Sequence, residues 1–359
     1  MHLLPEKAIA ALLRSLTRPQ CKDFVNTLTT SLSTVTSESK IPAQDRLIQQ
    51  PLRNTMLTKA GNFSLFMPVS NTVNTGVKIV TSPAKGGLAV VMNLFSADGE
   101  LLALLSAAEL TAFRTALAVM TLFVRATGSG GAGGVKRENI VVFGSGRQAE
   151  WHARLALALS EPGEVKRITV VNRTRGRLEG LEKGVLRELK ESYPDVTMGV
   201  LAKEGTPDYE DRLKSELGAS DVIFSCTPST QPNFPFSYLE GSASHKSRFI
   251  SLIGSYKPTM QEIDTETLLS GADGKVYVDS KEGCLEESGE LINAGMKEDR
   301  LIEIGEVFES SLPINVSAGQ NVIFKCVGMG IMDLVIAKKA LDVATSQGDG
   351  MYIEGFQDD

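Results

Sequence analysis

Through its middle the chain alternates short apolar, β-branched runs with longer stretches whose apolar positions recur every three or four residues. The short runs are IVVF (140–143), ITVV (168–171), VTMGVL (196–201), DVIFSC (221–226), RFISLI (248–253) and KVYVDS (275–280). Between them, stretches such as RQAEWHARLALALS and RGRLEGLEKGVLRELKESY have amphipathic helical spacing. Continuous apolar strands joined by crossover-length helices predict a parallel sheet covered on both faces. Six in series make a doubly wound α/β nucleotide-binding domain. That domain is expected over 124–309, with the glycine-rich tract TGSGGAGG (127–134) as a loop or hinge ahead of its first strand.

The pattern changes on either side. Residues 1–123 hold an early helix, a Ser/Thr-rich loop (TLTTSLSTVTSESK), strand-like pieces at FSLFMPV, GVKIVT and LAVVMNLF, and a long apolar helix, LTAFRTALAVMTLFVRA. The tail NVIFKCVGMGIMDLVIAKKALDVA reads as a short strand followed by a helix. A nucleotide domain inserted between two terminal segments suggests that 1–123 and 310–359 pack together as a second, α+β domain.

Composition narrows the function classes. A length of 359 residues favours two domains, and 42% hydrophobic residues suffice for large cores. A net charge of −6 without a long basic run argues against nucleic acid or an anionic membrane surface as the main partner. Cys21, Cys226, Cys284 and Cys326 are scattered with no CxxC pair, which predicts free thiols and no disulfide or zinc site. His2, His152 and His245 are equally dispersed, so no metal site is expected. The chain lacks a signal-peptide pattern and a membrane-length apolar run, so a cytoplasmic protein is expected.

The chemistry begins at Gly144-Ser145-Gly146-Arg147-Gln148-Ala149, which fits GxGxxA between a strand and a helix. The first glycine permits the tight turn, and the second lets a pyrophosphate approach the backbone. Ala149 allows close helix–sheet packing, and the helix N-terminus presents unpaired N–H groups. The second strand ends at Asn172-Arg173-Thr174, where an NAD-preferring site would carry a carboxylate against the ribose hydroxyls. Donors and positive charge, with Arg175 and Arg177 adding to the field, suit the 2′-phosphate of NADPH; a solvated basic turn is the alternative. Cys226 and Thr227 follow the fourth strand, at the sheet edge where a nicotinamide would rest.

Other charges sit oddly. Arg114 interrupts an apolar helix and needs an anionic partner. With Thr111 as N-cap, Arg114 and Thr115 fall in the first turn, whose N–H groups also face an anion; local pairing with Glu109 is the alternative. Lys78 points away from Val77 and Ile79 on a strand, which also describes a solvent-facing lysine. Arg53 carries a weaker signal. Asp279, Glu287 and Glu290 read as a solvated acidic face rather than an acid–base pair.

The GSGRQA turn, LTAFRTALA, GVKIVT, IGSYKPTMQEID, SGELINAG and FKCVGMGIMDLVIAKKA occur in the order seen in ornithine cyclodeaminase/mu-crystallin proteins, and the chain resembles that family over almost its whole length. The resemblance implies a homodimer whose terminal segments build the dimerisation and substrate domain around a Rossmann-type domain. It implies substrate-carboxylate and proton-handling roles for Arg53, Lys78 and Arg114, with Met67, Asn93 and Tyr256 as further substrate-facing candidates. Expected cofactor contacts are Gly144, Ser145, Gly146, Arg147, Gln148, Ala149, Asn172, Arg173, Thr174 and Arg177, with Thr115, Cys226, Thr227 and Val327. One departure matters: cyclodeaminases of the family carry an aspartate where this chain has Tyr256, within Gly254-Ser255-Tyr256-Lys257-Pro258. A tyrosine is neutral near pH 7 and cannot supply that charge to an ammonium group.

The expectation is therefore an NADP(H)-dependent reductase of cyclic or N-substituted ketimine carboxylates. The alternatives are an NAD(H)-dependent ornithine cyclodeaminase, an alanine or N-alkyl amino acid dehydrogenase, and a non-catalytic NADPH-dependent ligand-binding protein.

Overall fold

The computed structural model describes residues 1–128, 134–240, 246–309, 314 and 316–356. Most of the glycine tract 127–134, and His245, lie outside them. The chain groups into two compact units, Met1–Thr115 with Gly328–Asp359, and Ala116–Val327.

In the first unit, strands β1 (His2–Leu4), β2 (Asn54–Leu57), β3 (Phe63–Ser70), β4 (Asn74–Ser82), β5 (Ala89–Ser96), β6 (Leu101–Ser106) and β15 (Met351–Tyr352) form one sheet. Its order is β15-β1-β6-β5-β4-β3-β2, antiparallel except for β1 beside β6. One face, carrying Met67, Lys78, Met92 and Leu94, is buried, and the helix Gly330–Gln347 packs against β3, β4 and β5. The other face carries Phe66, Ile79 and Val91 in one registered row, and Val91 is exposed.

The segment expected as a Ser/Thr-rich loop is helical. Arg18–Glu38 forms a single helix, opened by a Thr17–Gln20 capping box, that buries Cys21, Phe24, Val25, Leu28 and Leu32 along one stripe. The hydroxyls of Thr27, Thr30, Ser31 and Thr34 donate to carbonyls four residues back. Burial of the apolar stripe outweighs the weak helix propensity of these residues.

The second unit holds β7 (Asn139–Phe143), β8 (Arg167–Asn172), β9 (Thr197–Ala202), β10 (Val222–Ser225), β11 (Phe249–Leu252), β12 (Val276–Val278), β13 (Leu301–Glu303) and β14 (Val322–Lys325). They form an all-parallel sheet in the order β13-β12-β14-β11-β10-β7-β8-β9. All six strands read from the sequence are present; β13 adds an edge strand and β14 an interior one. The unit therefore runs past residue 309, because the VIFK strand of the tail inserts between β11 and β12. Ile223 and Ile250 face one apolar layer that includes Leu213 and Leu217. Phe224 and Phe249, one position out of phase, meet Phe123 at 5.7 Å each on the other face. Both faces of this doubly wound sheet are thus covered, as its continuous apolar strands require. No helix among the described residues is long and apolar enough to cross a membrane.

Candidate functional site

Strand order reverses between β7 and β10, the switch point at which doubly wound sheets bind ligands. The GSGRQA turn leaves β7 at this point. Gly144 has φ +109°, and a Cβ there would lie 2.8 Å from the Cys226 carbonyl oxygen, so the turn requires glycine. Gly146 is the N-cap of the helix Arg147–Leu159 and has no side-chain cap bond. A Cβ at Gly146 would meet nothing within 4 Å, which leaves the helix N-terminus open. The Ser145 hydroxyl and Gln148 Oε1 are buried without a hydrogen-bond partner among the described residues, while Ala149 is buried. An open N-terminus with orphaned polar atoms and free N–H groups fits a dinucleotide pyrophosphate.

At the end of β8 the Asn172 amide donates to the Thr174 carbonyl and hydroxyl, both at 3.1 Å, so it shapes the turn. Arg175 pairs with Glu179 and Glu182. Arg173 and Arg177 are exposed and make no ion pair among the described residues, which leaves two cations at this turn. Arg147 is exposed at the start of the helix.

The loops beyond β10 and β11 are tied by a carboxylate that the sequence reading did not single out. Glu262, fully buried, accepts from Ser225 Oγ (2.8 Å), Thr227 N (2.9 Å), Gly254 N (2.7 Å) and Ser255 N (3.2 Å). Burial pushes Glu262 up to about 7 against the pull of Lys325. Lys325 Nζ donates to Ser255, whose hydroxyl also donates to Glu290 at 2.6 Å. Burial, with Glu262 nearby, raises the Cys226 thiol well above its ordinary range, so it is an inert neighbour. Tyr256, about half exposed, stands next to this pinned turn with Lys257 Nζ 5.7 Å from its ring centre.

The acidic cluster is not a solvated face: Asp279 and Glu290 are buried. Asp279 accepts from Cys284 and Cys326 thiols at 3.3 and 3.2 Å and from Val327 N at 3.2 Å, so Val327 is anchored through its backbone. The four cysteines are free thiols, three of them buried.

In the first unit Lys78 is buried, not solvent-facing, and its Nζ lies 2.5 Å from Asp333 Oδ2. Arg114 Nε donates to Asp333 Oδ1 at 2.9 Å. Glu109 pairs instead with Arg14. The helix carrying Arg114 begins at Ala108, with Thr111 N already bonded to Ala107 O, so Arg114 and Thr115 lie past the first turn and the N-terminal argument does not apply to them. Arg53 Nη2 donates to the Gly328 carbonyl at 3.1 Å. Gly328 itself has φ +88°, and a Cβ there would fall 2.6 Å from Arg114 Nη1. Arg53 and Arg114 therefore converge on one glycine. Met67 is the registered neighbour of Lys78 and shares its buried face. Asn93 does not join them: it pairs with Val77 on the opposite face and its Oδ1 accepts from Val77 N at 2.6 Å.

Burial brings the Lys78 amine down to about 8, with Asp333 opposing that fall and Arg114 and Arg53 adding to it. Asp333 was the missed partner. Its signal in the sequence is a lone carboxylate in the apolar run GIMDLVIA. Two cations around one carboxylate, with a third cation at Gly328, make a buried site with excess positive charge, suited to an organic anion.

A doubly wound dinucleotide-type sheet in one unit and a buried cation cluster in the other fit the class of nicotinamide-dependent oxidoreductases, and the comparisons place the chain more narrowly. Residues 24–348 match the ornithine cyclodeaminase/mu-crystallin family, and the chain belongs to it. It is 28% identical over 247 residues to the ketimine reductase mu-crystallin of Rattus norvegicus, covering 68% of this chain and 66% of that protein. It is 26% identical over 324 residues to a Delta(1)-pyrroline-2-carboxylate reductase of Bacillus cereus, covering 85% and 89%. Its fold matches that of Thermococcus litoralis Delta(1)-pyrroline-2-carboxylate reductase, a structure in complex with NADH and L-proline. The TM-score is 0.77 at 19% identity, covering 98% of this chain and 100% of that one.

Proposed function

We propose that this protein is an NADPH-dependent reductase of cyclic or N-substituted ketimine carboxylates, such as Δ1-pyrroline-2-carboxylate or Δ1-piperideine-2-carboxylate, giving L-amino acids. The observation that carries the reading is the buried Lys78–Asp333–Arg114 cluster beside Arg53. It combines an anion clamp with an amine whose acidity suits proton donation near neutral pH. The named activities of the mu-crystallin and pyrroline-carboxylate reductase relatives point to the same reaction.

When bound, reduced nicotinamide supplies the hydride. The chain's own residues do the rest. The GSGRQA turn holds the pyrophosphate, and Arg173 and Arg177 favour a 2′-phosphate. Arg53 and Arg114 hold the substrate carboxylate and so fix the C=N carbon, and Lys78 donates a proton to the imine nitrogen. Tyr256, in place of the cyclodeaminase aspartate, disfavours ornithine deamination. The registered row Phe66–Ile79–Val91, with exposed Met56 on the same sheet face, is an apolar surface suited to a second copy of the chain; a homodimer fits the reading.

The test is NADPH oxidation by purified protein against both cyclic imines and keto acid–amine pairs. Product formation supports the reading. Tight NADPH binding without turnover across the set overturns it and leaves a binding protein.

A further inference from the structure

Asp333 is buried within the helix Gly330–Gln347, where a carboxylate is costly unless something needs it. Its two oxygens are divided. Oδ2 takes Lys78 and Oδ1 takes Arg114, and the guanidinium is gripped by Nε, the atom nearest its stem. That choice leaves the Nη edge of Arg114 free of carboxylate contact: Nη1 makes only a long bond to the Met332 sulfur at 3.5 Å and lies against Gly328, whose carbonyl accepts from Arg53. A bidentate Arg–carboxylate pair through both Nη atoms would have blocked that edge.

We propose that Asp333 is a positioning residue that assigns separate tasks to the two cations, holding Lys78 protonated toward the imine nitrogen and turning the Nη edge of Arg114 toward the substrate carboxylate. The inference rests on the reductase reading above and adds a residue to it. In the step concerned, the Nζ–H bond of Lys78 breaks and an N–H bond forms at the imine nitrogen while hydride from the reduced nicotinamide forms the C–H bond. The products are a secondary amine, oxidised cofactor and a neutral lysine, which regains its proton from solvent.

Around Lys78, β3 and β5 contribute Met67 and Met92, which carry no charge. The charged neighbours are Asp333 on the C-terminal helix, Arg114 on the helix Ala108–Ala126, and Arg53 ahead of β2. Only Asp333 favours the ammonium form, and both arginines oppose it. Without Asp333, Lys78 would lose its proton at a lower pH, by about one to three pH units for an opposite charge at this range.

The experiment compares the full-length wild type with Asp333→Asn and Asp333→Glu, measuring kcat and KM for the imine across pH. In Asp333→Asn the alkaline limb of kcat should move down by at least about one pH unit, and KM should rise severalfold. Asp333→Glu should return the limb to within about half a unit of wild type, because the charge is kept. An Asn variant that loses activity equally at all pH values overturns the proposal, as does a Glu variant whose limb stays with that of Asn. A second readout does not depend on turnover: the Lys78 Nζ resonance, assigned with Lys78→Met, is titrated in the NADPH-bound protein. It should titrate lower in Asp333→Asn, or in Asp333→Ala if the Asn variant does not fold; an unchanged midpoint overturns the proposal. If the wild type reduces no imine while the Lys78 midpoint still moves, the reductase reading has failed and the Asp333 assignment to Lys78 has not.

Discussion

Two glycines separated by Ser145 make opposite predictions, because a side chain at only one of them would meet protein. Gly144→Ala places a Cβ 2.8 Å from the Cys226 carbonyl, at φ +109°. That carbonyl cannot retreat freely, since Cys226 N is bonded to Phe143 O at 2.9 Å. Strained backbone alone costs on the order of 1–3 kcal/mol, and displacing a backbone contact adds to it, so a loss of about 2–4 kcal/mol is expected. At roughly 2–4 °C per kcal/mol for a large domain, the melting temperature should fall by about 4–16 °C. Gly146→Ala differs. Its φ of −96° with ψ −172° is open to any residue, and no atom stands within 4 Å of the added carbon. Stability should stay within about 0.5 kcal/mol of wild type. The new methyl, however, occupies the approach to the helix N-terminus, and NADPH should bind about tenfold or more weakly, equivalent to about 1.4 kcal/mol. The assay is thermal unfolding without cofactor, paired with a fluorescence titration of NADPH. An unchanged melting temperature for Gly144→Ala would refute the contact argument. Wild-type NADPH affinity in Gly146→Ala would show that the pyrophosphate does not sit at this turn.

Cofactor choice is tested at the end of β8: Arg173→Glu should weaken NADPH by about 1.5–3 kcal/mol, roughly ten- to hundredfold, and leave NADH nearly unaffected. Equal losses for both cofactors would remove Arg173 from the 2′-phosphate. His152 makes a stability prediction, because burial holds it down at about 4, its Nδ1 lies 2.7 Å from the Gln148 carbonyl, and its Nε2 has no partner among the described residues. The unfolded state, titrating near 6.5, binds more protons between these values, so stability falls as pH drops from about 6.5 to 4, by up to on the order of 3 kcal/mol. His152→Leu should remove that portion of the acid sensitivity in denaturant melts across pH; an identical pH profile would contradict the assignment. Sedimentation tests the apolar sheet face: a species near twice 38.6 kDa is expected, and Val91→Lys should shift it toward the monomer. A monomeric wild type would contradict the dimer.

The parallel sheet was legible because its strands are buried on both faces and therefore read as unbroken apolar runs. Arg18–Glu38 was not, because its Thr and Ser residues satisfy their hydroxyls on their own helix, which no composition rule reveals. At the site, the turn at Gly144 follows from local chemistry. The partner of Lys78 lies 255 positions away in the chain, so only the fold could supply it. A lone Asp333 in GIMDLVIA and a lone Arg114 in an apolar helix each announce an unmet charge, but nothing in either stretch says that they meet. Asn93 is the converse case: the resemblance offers it as substrate-facing, and the register turns it to the face opposite Lys78, which a motif alone does not show.

Single-turnover reduction of Δ1-pyrroline-2-carboxylate with NADPH, wild type against Lys78→Met with L-proline measured as product, decides whether Lys78 donates the proton. Wild type should form one proline per NADPH oxidised. Lys78→Met should lose about a hundredfold or more in rate with NADPH affinity retained. A Lys78→Met protein that forms proline at the wild-type rate would contradict that role.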